Sequence, residues 1–277
     1  SGKGVNVSKG LRRLGVESVI MGLAGGDLGR LLVNGLCDLG YECDFGIVAE
    51  ETRSNITVID ESRGQITKLN EPGAAVTDDD LVAFEARLQA RVRPGDICVF
   101  SGSLPPGAPD DTYARLIDGV HQVGGLAVLD SSGAALAAGC AAGPDLLKPN
   151  MDEARELVSC PFDTDAAVIR GLAALRDLGA RGVLVSLGAR GAAYDDGETV
   201  WWAEPPAITE INSVGAGDAL TAAALWAWAV RGESAEDIVR WGVACGTAAA
   251  MQDGTSAPAL ESVRRVYTQV RTRPLVR

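Results

Sequence analysis

The sequence predicts an α/β fold, a largely parallel sheet covered by helices on both faces, and three observations carry that expectation. Short β-branched or apolar runs alternate with longer segments of helical period along most of the chain, the pattern of strand–helix–strand units. Of the 277 residues, 47% are hydrophobic and 22% charged, enough apolar material for a sizeable core. No internal repeat or low-complexity linker divides the chain, so residues 1–277 are read as one main domain.

The elements follow in order. Val19 to Leu23 reads as a strand and Leu28 to Leu39 as a helix closed by Gly40, glycine being the residue that accepts the left-handed turn at a helix end. Three strand-like runs come next with no helix between them: Glu42 to Val48, Asn55 to Asp60 and Gln65 to Asn70. Glu61-Ser62-Arg63-Gly64 joins the last two as a hairpin. Residues 42–72 are therefore expected to project from the main sheet as a small β-lid. A helix over Thr77 to Val92 opens on Asp78-Asp79-Asp80, negative charge that suits the positive end of a helix dipole. Strand Ile97 to Ser101, helix Asp110 to Val123, strands Leu126 to Asp130 and Leu146 to Lys148, and helix Asp152 to Val158 follow. Helix Asp165 to Leu178 feeds strand Gly182 to Ser186, and Ala192 to Tyr194 with Thr199 to Trp202 form a hairpin over Asp195-Asp196-Gly197. Helices Gly215 to Val230, Ala235 to Met251 and Leu260 to Val270 close the chain. In such sheets ligands bind beyond the carboxyl ends of the strands, which directs attention to the loops there.

Composition excludes several functions. The net charge of −12 would repel the phosphates of nucleic acid. No apolar run reaches the ~18 residues of a membrane helix, and Ser1-Gly2-Lys3-Gly4 lacks the basic-then-apolar pattern of a signal peptide. A soluble, cytoplasmic protein with neither a nucleic-acid nor a membrane partner is expected. The six cysteines are scattered, without a C-x-x-C pair and with His121 as the sole histidine. They read as buried or partly buried free thiols in a reducing compartment, not as zinc ligands.

One segment carries chemistry on its own terms. Asn212-Ser213-Val214-Gly215-Ala216-Gly217-Asp218 runs directly into the helical segment from Ala219. Glycines there permit the turn and leave backbone amides unobstructed at a helix start, a ready anion site. A carboxylate in that first turn would repel a bound anion, unless its task is to take a proton while the amides stabilise charge on a transferred phosphoryl group. The plainer reading is a loop with Asp218 near a helix cap.

Gly-Ala-Gly-Asp opening a long Ala-rich helix resembles the second signature of the PfkB, or ribokinase-like, carbohydrate kinases, and further motifs occur in that family's order. Ser1-Gly2-Lys3-Gly4-Val5-Asn6-Val7-Ser8 resembles the sugar-binding G-G-K-G-x-N loop, Lys148-Pro149-Asn150-Met151-Asp152-Glu153 the N-x-x-E motif, and Val185-Ser186-Leu187-Gly188-Ala189-Arg190-Gly191 the nucleotide-binding strand and turn. The resemblance implies a three-layer α/β/α sandwich with a β-lid, acting with ATP and Mg2+. It implies Asp218 as catalytic base, and Gly215, Ala216 and Gly217 as the anion hole. Asn150 and Glu153 would be the magnesium-linked pair, Glu153 through water; Ser186, Gly188 and Gly191 would line ATP. Gly2 and Asn6 would grip sugar hydroxyls, and Lys3 is read with Arg53 and Lys68 as a contact to the sugar phosphate. It also implies a first strand, bearing a sugar-binding aspartate, upstream of Ser1. Asn212-Ser213-Val214 departs from the family's usual residues at the loop linked to a monovalent cation, a further cofactor that the resemblance suggests.

The acceptor is narrowed by charge. Arg53, in Thr52-Arg53-Ser54-Asn55 at the base of the lid, has the forked geometry that grips phosphate through two parallel bonds. Lys68 on the lid's partner strand adds a second positive charge, in a chain with only Lys3, Lys9, Lys68 and Lys148 as lysines. Leu69-Asn70-Glu71-Pro72-Gly73, and Ser101-Gly102-Ser103-Leu104-Pro105-Pro106-Gly107 with Ser103 at the substrate, resemble the family's phosphosugar branch. The implied reaction is phosphoryl transfer to a primary hydroxyl of a phosphorylated ketohexose, fructose 1-phosphate first, with tagatose 6-phosphate or fructose 6-phosphate as alternatives. A nucleoside kinase of the same superfamily fits Arg53 less well, and a non-catalytic sugar-phosphate sensor is the reading from another class. The resemblance also suggests a homodimer through the lid, for which Ile56, Val58 and Ile66 supply apolar surface.

Overall fold

The computed structural model describes residues 2–60, 65–254 and 256–276, and within them the chain forms two compact units. The first comprises Ser1–Ser18, Val92–Ser103 and Asp110–Arg277; the second comprises Val19–Arg91 and Leu104–Pro109.

The second unit holds β1 (Val19–Gly25), α2 (Gly26–Asp38), β2 (Glu42–Val48), β3 (Asn55–Asp60), β4 (Gln65–Asn70) and α3 (Asp78–Arg91). β1 and β2 pair in parallel from Val19↔Glu42 to Gly25↔Val48, with α2 as the crossover that a parallel connection requires. So β2, expected within the lid, takes its hydrogen bonds from β1. The hairpin expectation holds for β3 and β4, antiparallel from Asn55↔Asn70 to Asp60↔Gln65; the expected turn at 61–64 lies outside the described residues. Val48, Val76 and Leu81 form this unit's small core, and Val76 N–H donates to the Pro106 carbonyl at 2.9 Å.

The first unit is organised by a seven-stranded sheet of order β11-β10-β9-β8-β7-β6-β5. Its strands are β5 (Ile97–Ser101), β6 (Leu126–Asp130), β7 (Leu146–Leu147), β8 (Gly182–Ser186), β9 (Ala192–Asp195), β10 (Val200–Glu204) and β11 (Arg271–Pro274). β5 to β8 are parallel, and the ladder turns antiparallel from β8 outward. Leu129, Leu147, Val183, Leu184 and Val185 have no exposed surface, as in strands covered on both faces. Each such side chain contributes about 1.5–3 kcal/mol by leaving water.

The covering helices are α1 (Lys3–Arg13), α4 (Thr112–Gln122), α5 (Gly133–Ala141), α6 (Met151–Val158), α7 (Asp165–Asp177), α8 (Ala216–Leu225), α9 (Ala235–Ala250) and α10 (Leu260–Tyr267). α9 lies on β9 and β10 and packs against α8, which in turn meets α1, while α4 and α5 pack on β6, and α7 on β8 and β9. Apart from Asp218 and Thr221, α8 is apolar and it is buried from Asp218 to Leu225, as a helix inside the core is; a π-helical turn, Trp226–Val230, continues it.

Three differences from the sequence reading have physical causes. α5 occupies a stretch left without a helix: its run of alanine and glycine has almost no polar face, so it carries no helical period. Helix Leu260 to Val270 ends at Tyr267, and Arg271–Pro274 forms an edge strand on β10, held by pairing rather than by a hydrophobic pattern. All six cysteines are free, but Cys37 is exposed, because it lies near the open end of α2.

Candidate active site

The loop into α8 is built before the helix starts. Asn212 accepts the Val214 N–H through Oδ1 at 3.0 Å and donates from Nδ2 to the Gly254 carbonyl at 2.9 Å. The backbone N–H groups of Ile211 and Asn212 both donate to the Ala250 carbonyl. These bonds tie the loop to the end of α9. Gly215 then takes φ 85 as the N-cap, with no side chain capping the helix, a conformation that excludes most other residues. The Ala216 N–H donates to the Ser213 carbonyl at 3.2 Å, and the Ala219 N–H to that of Gly215 at 2.9 Å. Of the expected anion hole, Ala216 spends its amide in the turn, while the Gly215 and Gly217 amides, and beside them that of Asp218, have no backbone acceptor among the described residues at the helix start.

Asp218 follows in the first turn of α8, 7% exposed. Its Oδ2 accepts from Asn6 Nδ2 at 2.7 Å. α1 brings Asn6 there because Gly10 on α1 faces Ala222 on α8 so closely that an added Cβ would stand 2.6 Å from the alanine methyl. Gly2 caps α1, which directs Lys3 and Asn6 to the same end. Burial raises the proton affinity of Asp218; the Asn6 hydrogen bond opposes this, the Asp130 charge adds to it, and Lys3 and Lys148 oppose it. The net effect lies above the ordinary carboxylate value, the direction suited to a group that must accept a proton.

Asp130 and Lys148 belong to the same cluster, and sequence reasoning assigned neither a role. Asp130, 1% exposed, ends β6. Its Oδ1 accepts from Lys3 Nζ at 2.9 Å, and its Oδ2 lies 3.3 Å from Lys148 Nζ. The second contact is an ion pair without hydrogen-bond geometry, so Oδ2 is buried with no donor. Burial works against the Lys3 ammonium, yet the charge and hydrogen bond of Asp130, with Glu153 and Asp218 behind them, leave its pKa raised. A carboxylate at the C-terminal end of a central parallel strand was the available signal.

Asn150 and Glu153 meet in a reciprocal capping box at the start of α6. Asn150 Oδ1 accepts from the Asp152 and Glu153 amides at 2.9 Å each, and Glu153 Oε2 accepts from the Asn150 N–H at 2.8 Å. The spacing thus has a structural use as well as the expected metal-linked one. Asn150 also bridges Ser186 in parallel fashion, bringing together the ends of β7 and β8. Gly188 begins an exposed 3-10 turn, and Gly191 closes it with φ 89. Ser103 is exposed after β5. Nearby, Ser101 Oγ is buried without a partner and Ser131 Oγ donates to the Gly102 carbonyl at 2.9 Å.

In the other unit, Arg53 is exposed and donates from Nη1 to the Pro72 carbonyl at 3.4 Å. Lys68 stands opposite Thr57 in the β3–β4 ladder; its side chain lies outside the described residues.

The donors fit the nucleotide and metal that the sequence implies. Unbonded amides at the start of α8 and two ammonium groups suit phosphate oxygens. Among the described residues no group of three or more His, Cys, Asp or Glu could hold a metal ion. Mg2+ usually keeps several waters and takes one or two carboxylates beside substrate phosphates, and Glu153 lies close enough to Lys3 to favour its charged form.

Comparison with known proteins gives one consistent answer. The model of the pfkB family of carbohydrate kinases matches residues 1–262. A 1-phosphofructokinase of Bacillus subtilis (strain 168) is 34% identical over 91% of this chain and 82% of its own length. The ATP-dependent 6-phosphofructokinase isozyme 2 of Escherichia coli (strain K12) is 33% identical over 96% and 86%. The crystal structure of phosphofructokinase-2 from Escherichia coli in complex with potassium superposes with a TM-score of 0.91 at 33% identity, covering 97% of this chain and 87% of that one.

Proposed function

We propose that this chain, which belongs to the pfkB family of carbohydrate kinases, uses ATP to phosphorylate a primary hydroxyl of a phosphorylated ketohexose, fructose 1-phosphate foremost. Family membership makes it an ATP-dependent sugar kinase with the ribokinase-like α/β fold. The acceptor, the residue roles and the assembly are our reading. The observation that carries it is the buried Asp218 carboxylate at the amide-bearing start of α8, oriented by Asn6.

ATP is the phosphoryl donor, and Mg2+, when bound, would supply positive charge against the phosphate oxygens. Asp218 accepts the proton of the attacking hydroxyl. The Gly215, Gly217 and Asp218 amides stabilise the charge that develops on the transferred group. Asn6 keeps the carboxylate oriented, and its own Oδ1, buried without a partner, is suited to accept from a sugar hydroxyl. Gly2, Lys3 and Ser103 contact the acceptor, and Arg53 with Lys68 holds its phosphate. Ser186, Gly188 and Gly191 line the nucleotide, while Asn150 and Glu153 would hold Mg2+, Glu153 through water. A monovalent cation beside the Asn212 loop draws support from the potassium complex of the E. coli neighbour. Exposed Ile56, Val58 and Leu69 support a homodimer through the lid; the Ile66 side chain lies outside the described residues. A cytoplasmic location belongs to the same reading; no described helix is long and apolar enough to cross a membrane.

Fructose 6-phosphate is the nearest rival, because a β-fructofuranose ring is almost two-fold symmetric. Either ester presents a phosphate to one end of the site and a primary hydroxyl to the other. Discrimination rests on ring-hydroxyl contacts of about 1–3 kcal/mol each. A coupled ADP-release assay with fructose 1-phosphate, fructose 6-phosphate, tagatose 6-phosphate, fructose and ribose in parallel tests the proposal. Turnover confined to phosphosugars, fastest with fructose 1-phosphate, is expected. Turnover only with an unphosphorylated sugar discards the phosphate clamp, and ligand binding without any ADP release favours a sensor.

A further inference from the structure

Two lysines share one buried carboxylate beside the proposed base, and the division of charge among these groups is unusual enough to need a reason. Lys3 comes from the start of α1, Asp130 from the end of β6, and Lys148 from the segment between β7 and α6. Asp130 and Lys148 are 1% and 4% exposed in their side chains, Lys3 37%. A buried ammonium needs a counter-charge, and among the described residues Asp130 is the carboxylate within ion-pair distance of Lys148. Asp218 is the other buried carboxylate that feels both lysines, yet its recorded side-chain partner is the neutral amide of Asn6. The lysines thus pair with the carboxylate that has no proposed chemistry and leave the one that has.

We propose that Asp130 is a positioning residue: it holds the Lys3 and Lys148 ammonium groups away from Asp218, as a two-lysine cradle for the phosphoryl group in transit. The inference rests on Asp218 being the base, as proposed above. Without Asp130, either ammonium gains by turning to Asp218, where it would occupy the oxygen that must receive the proton. With Asp130, each ammonium commits one direction to the carboxylate and, having three N–H donors, keeps others for phosphoryl oxygens. The four charges sum to zero, so the cluster can stay buried until a phosphate arrives. The Asp130 charge has a second consequence. It disfavours the ionised form of Asp218, opposing the two lysines, and so keeps the base more basic.

The test uses Asp130→Asn, Lys3→Met and Asp218→Asn in the full chain, with fructose 1-phosphate and fructose 6-phosphate as acceptors. In Asp130→Asn, kcat should fall on the order of 100-fold, the effect of misplacing groups by about an ångström. The acid limb of kcat/KM should move to lower pH, because a repelling charge next to Asp218 is gone. In Lys3→Met the limb should move to higher pH. A purely structural role lowers activity in both but shifts neither limb. An unshifted limb with a raised Mg2+ requirement overturns the proposal in favour of a metal-linked role. A thermal-melting cycle at pH 7 reads the same coupling without turnover: Asp218→Asn should raise the melting temperature less in the Asp130→Asn background than in the wild type, and equal increments refute the coupling. If Asp130→Asn does not fold, the direction of the Lys3→Met limb decides. Near-normal turnover of Asp218→Asn sinks the parent reading instead, which keeps the two failures distinct.

Discussion

Replacing Asp218 by asparagine should abolish most activity and stabilise the protein at the same time. The substitution is nearly isosteric, and asparagine can still accept the Asn6 Nδ2 hydrogen bond made at 2.7 Å in the wild type, so the start of α8 should persist. What disappears is a proton acceptor, whose loss is worth about 10²–10⁴ in rate, or roughly 2.7–5.5 kcal/mol of transition-state free energy at 1.36 kcal/mol per decade. ATP binding should change little. The stability effect follows from linkage. Burial, as the largest cause, raises the Asp218 pKa above its ordinary value, so between those two values the native state binds more protons than the unfolded chain. Stability then falls as pH rises through that window, and above the folded-state pKa the full penalty of a buried charge is present. Asparagine carries no charge, so Asp218→Asn should melt higher than wild type at pH 7, with the gain fading below the unfolded carboxylate pKa of about 3.9. Coupled ADP release, calorimetric ATP binding and melting at several pH values measure all three. Turnover within a few-fold of wild type refutes the base assignment, and loss of stability at pH 7 refutes the account of Asp218 as a group held against its own solvation preference.

Three other substitutions probe separate parts. Arg53→Ala should raise the KM for the phosphosugar more than that for ATP in steady-state kinetics; equal changes in both count against Arg53 as the phosphate clamp. Gly191→Ala places a Cβ 1.9 Å from the Ala203 carbonyl oxygen at φ 89 and ψ −129, so it should destabilise by about 1–3 kcal/mol from the strained backbone alone, more from the overlap. In variant protein that still folds, the KM for ATP should also rise, and an unchanged value argues against Gly191 at the nucleotide. Arg273→Ala breaks the paired contacts to Asp165 at 2.5 and 2.8 Å that hold β11 to α7. The arginine hydrogen bond lowers the Asp165 pKa, so this stabilisation exists above the unfolded carboxylate value and is lost as pH falls through the folded one. Both groups are partly exposed, so the loss should be under about 1 kcal/mol at pH 7 and should vanish in melting curves at strongly acidic pH; an undiminished loss there assigns it to packing.

What could be read from the amino-acid order was local. The apolar runs that become β6 and β8, the acidic start of α3, and the glycines that free the amides ahead of Asp218 all express preferences of neighbouring residues, and the motif Asn150-x-x-Glu153 carries its own helix cap. α5 was hidden because alanine and glycine leave no period to detect, and β11 because an edge strand of Arg-Thr-Arg-Pro owes its form to its partner. The site's charge arrangement was hidden for a stronger reason. Lys3 and Asp130 are 127 positions apart, and Asn6 and Asp218 are 212 apart. Their meeting is decided by strand order and by the close approach of α1 to α8. A burial energy is paired with a burial partner only when the chain has folded, so which carboxylate takes the lysines and which is left to accept a proton was settled by tertiary packing.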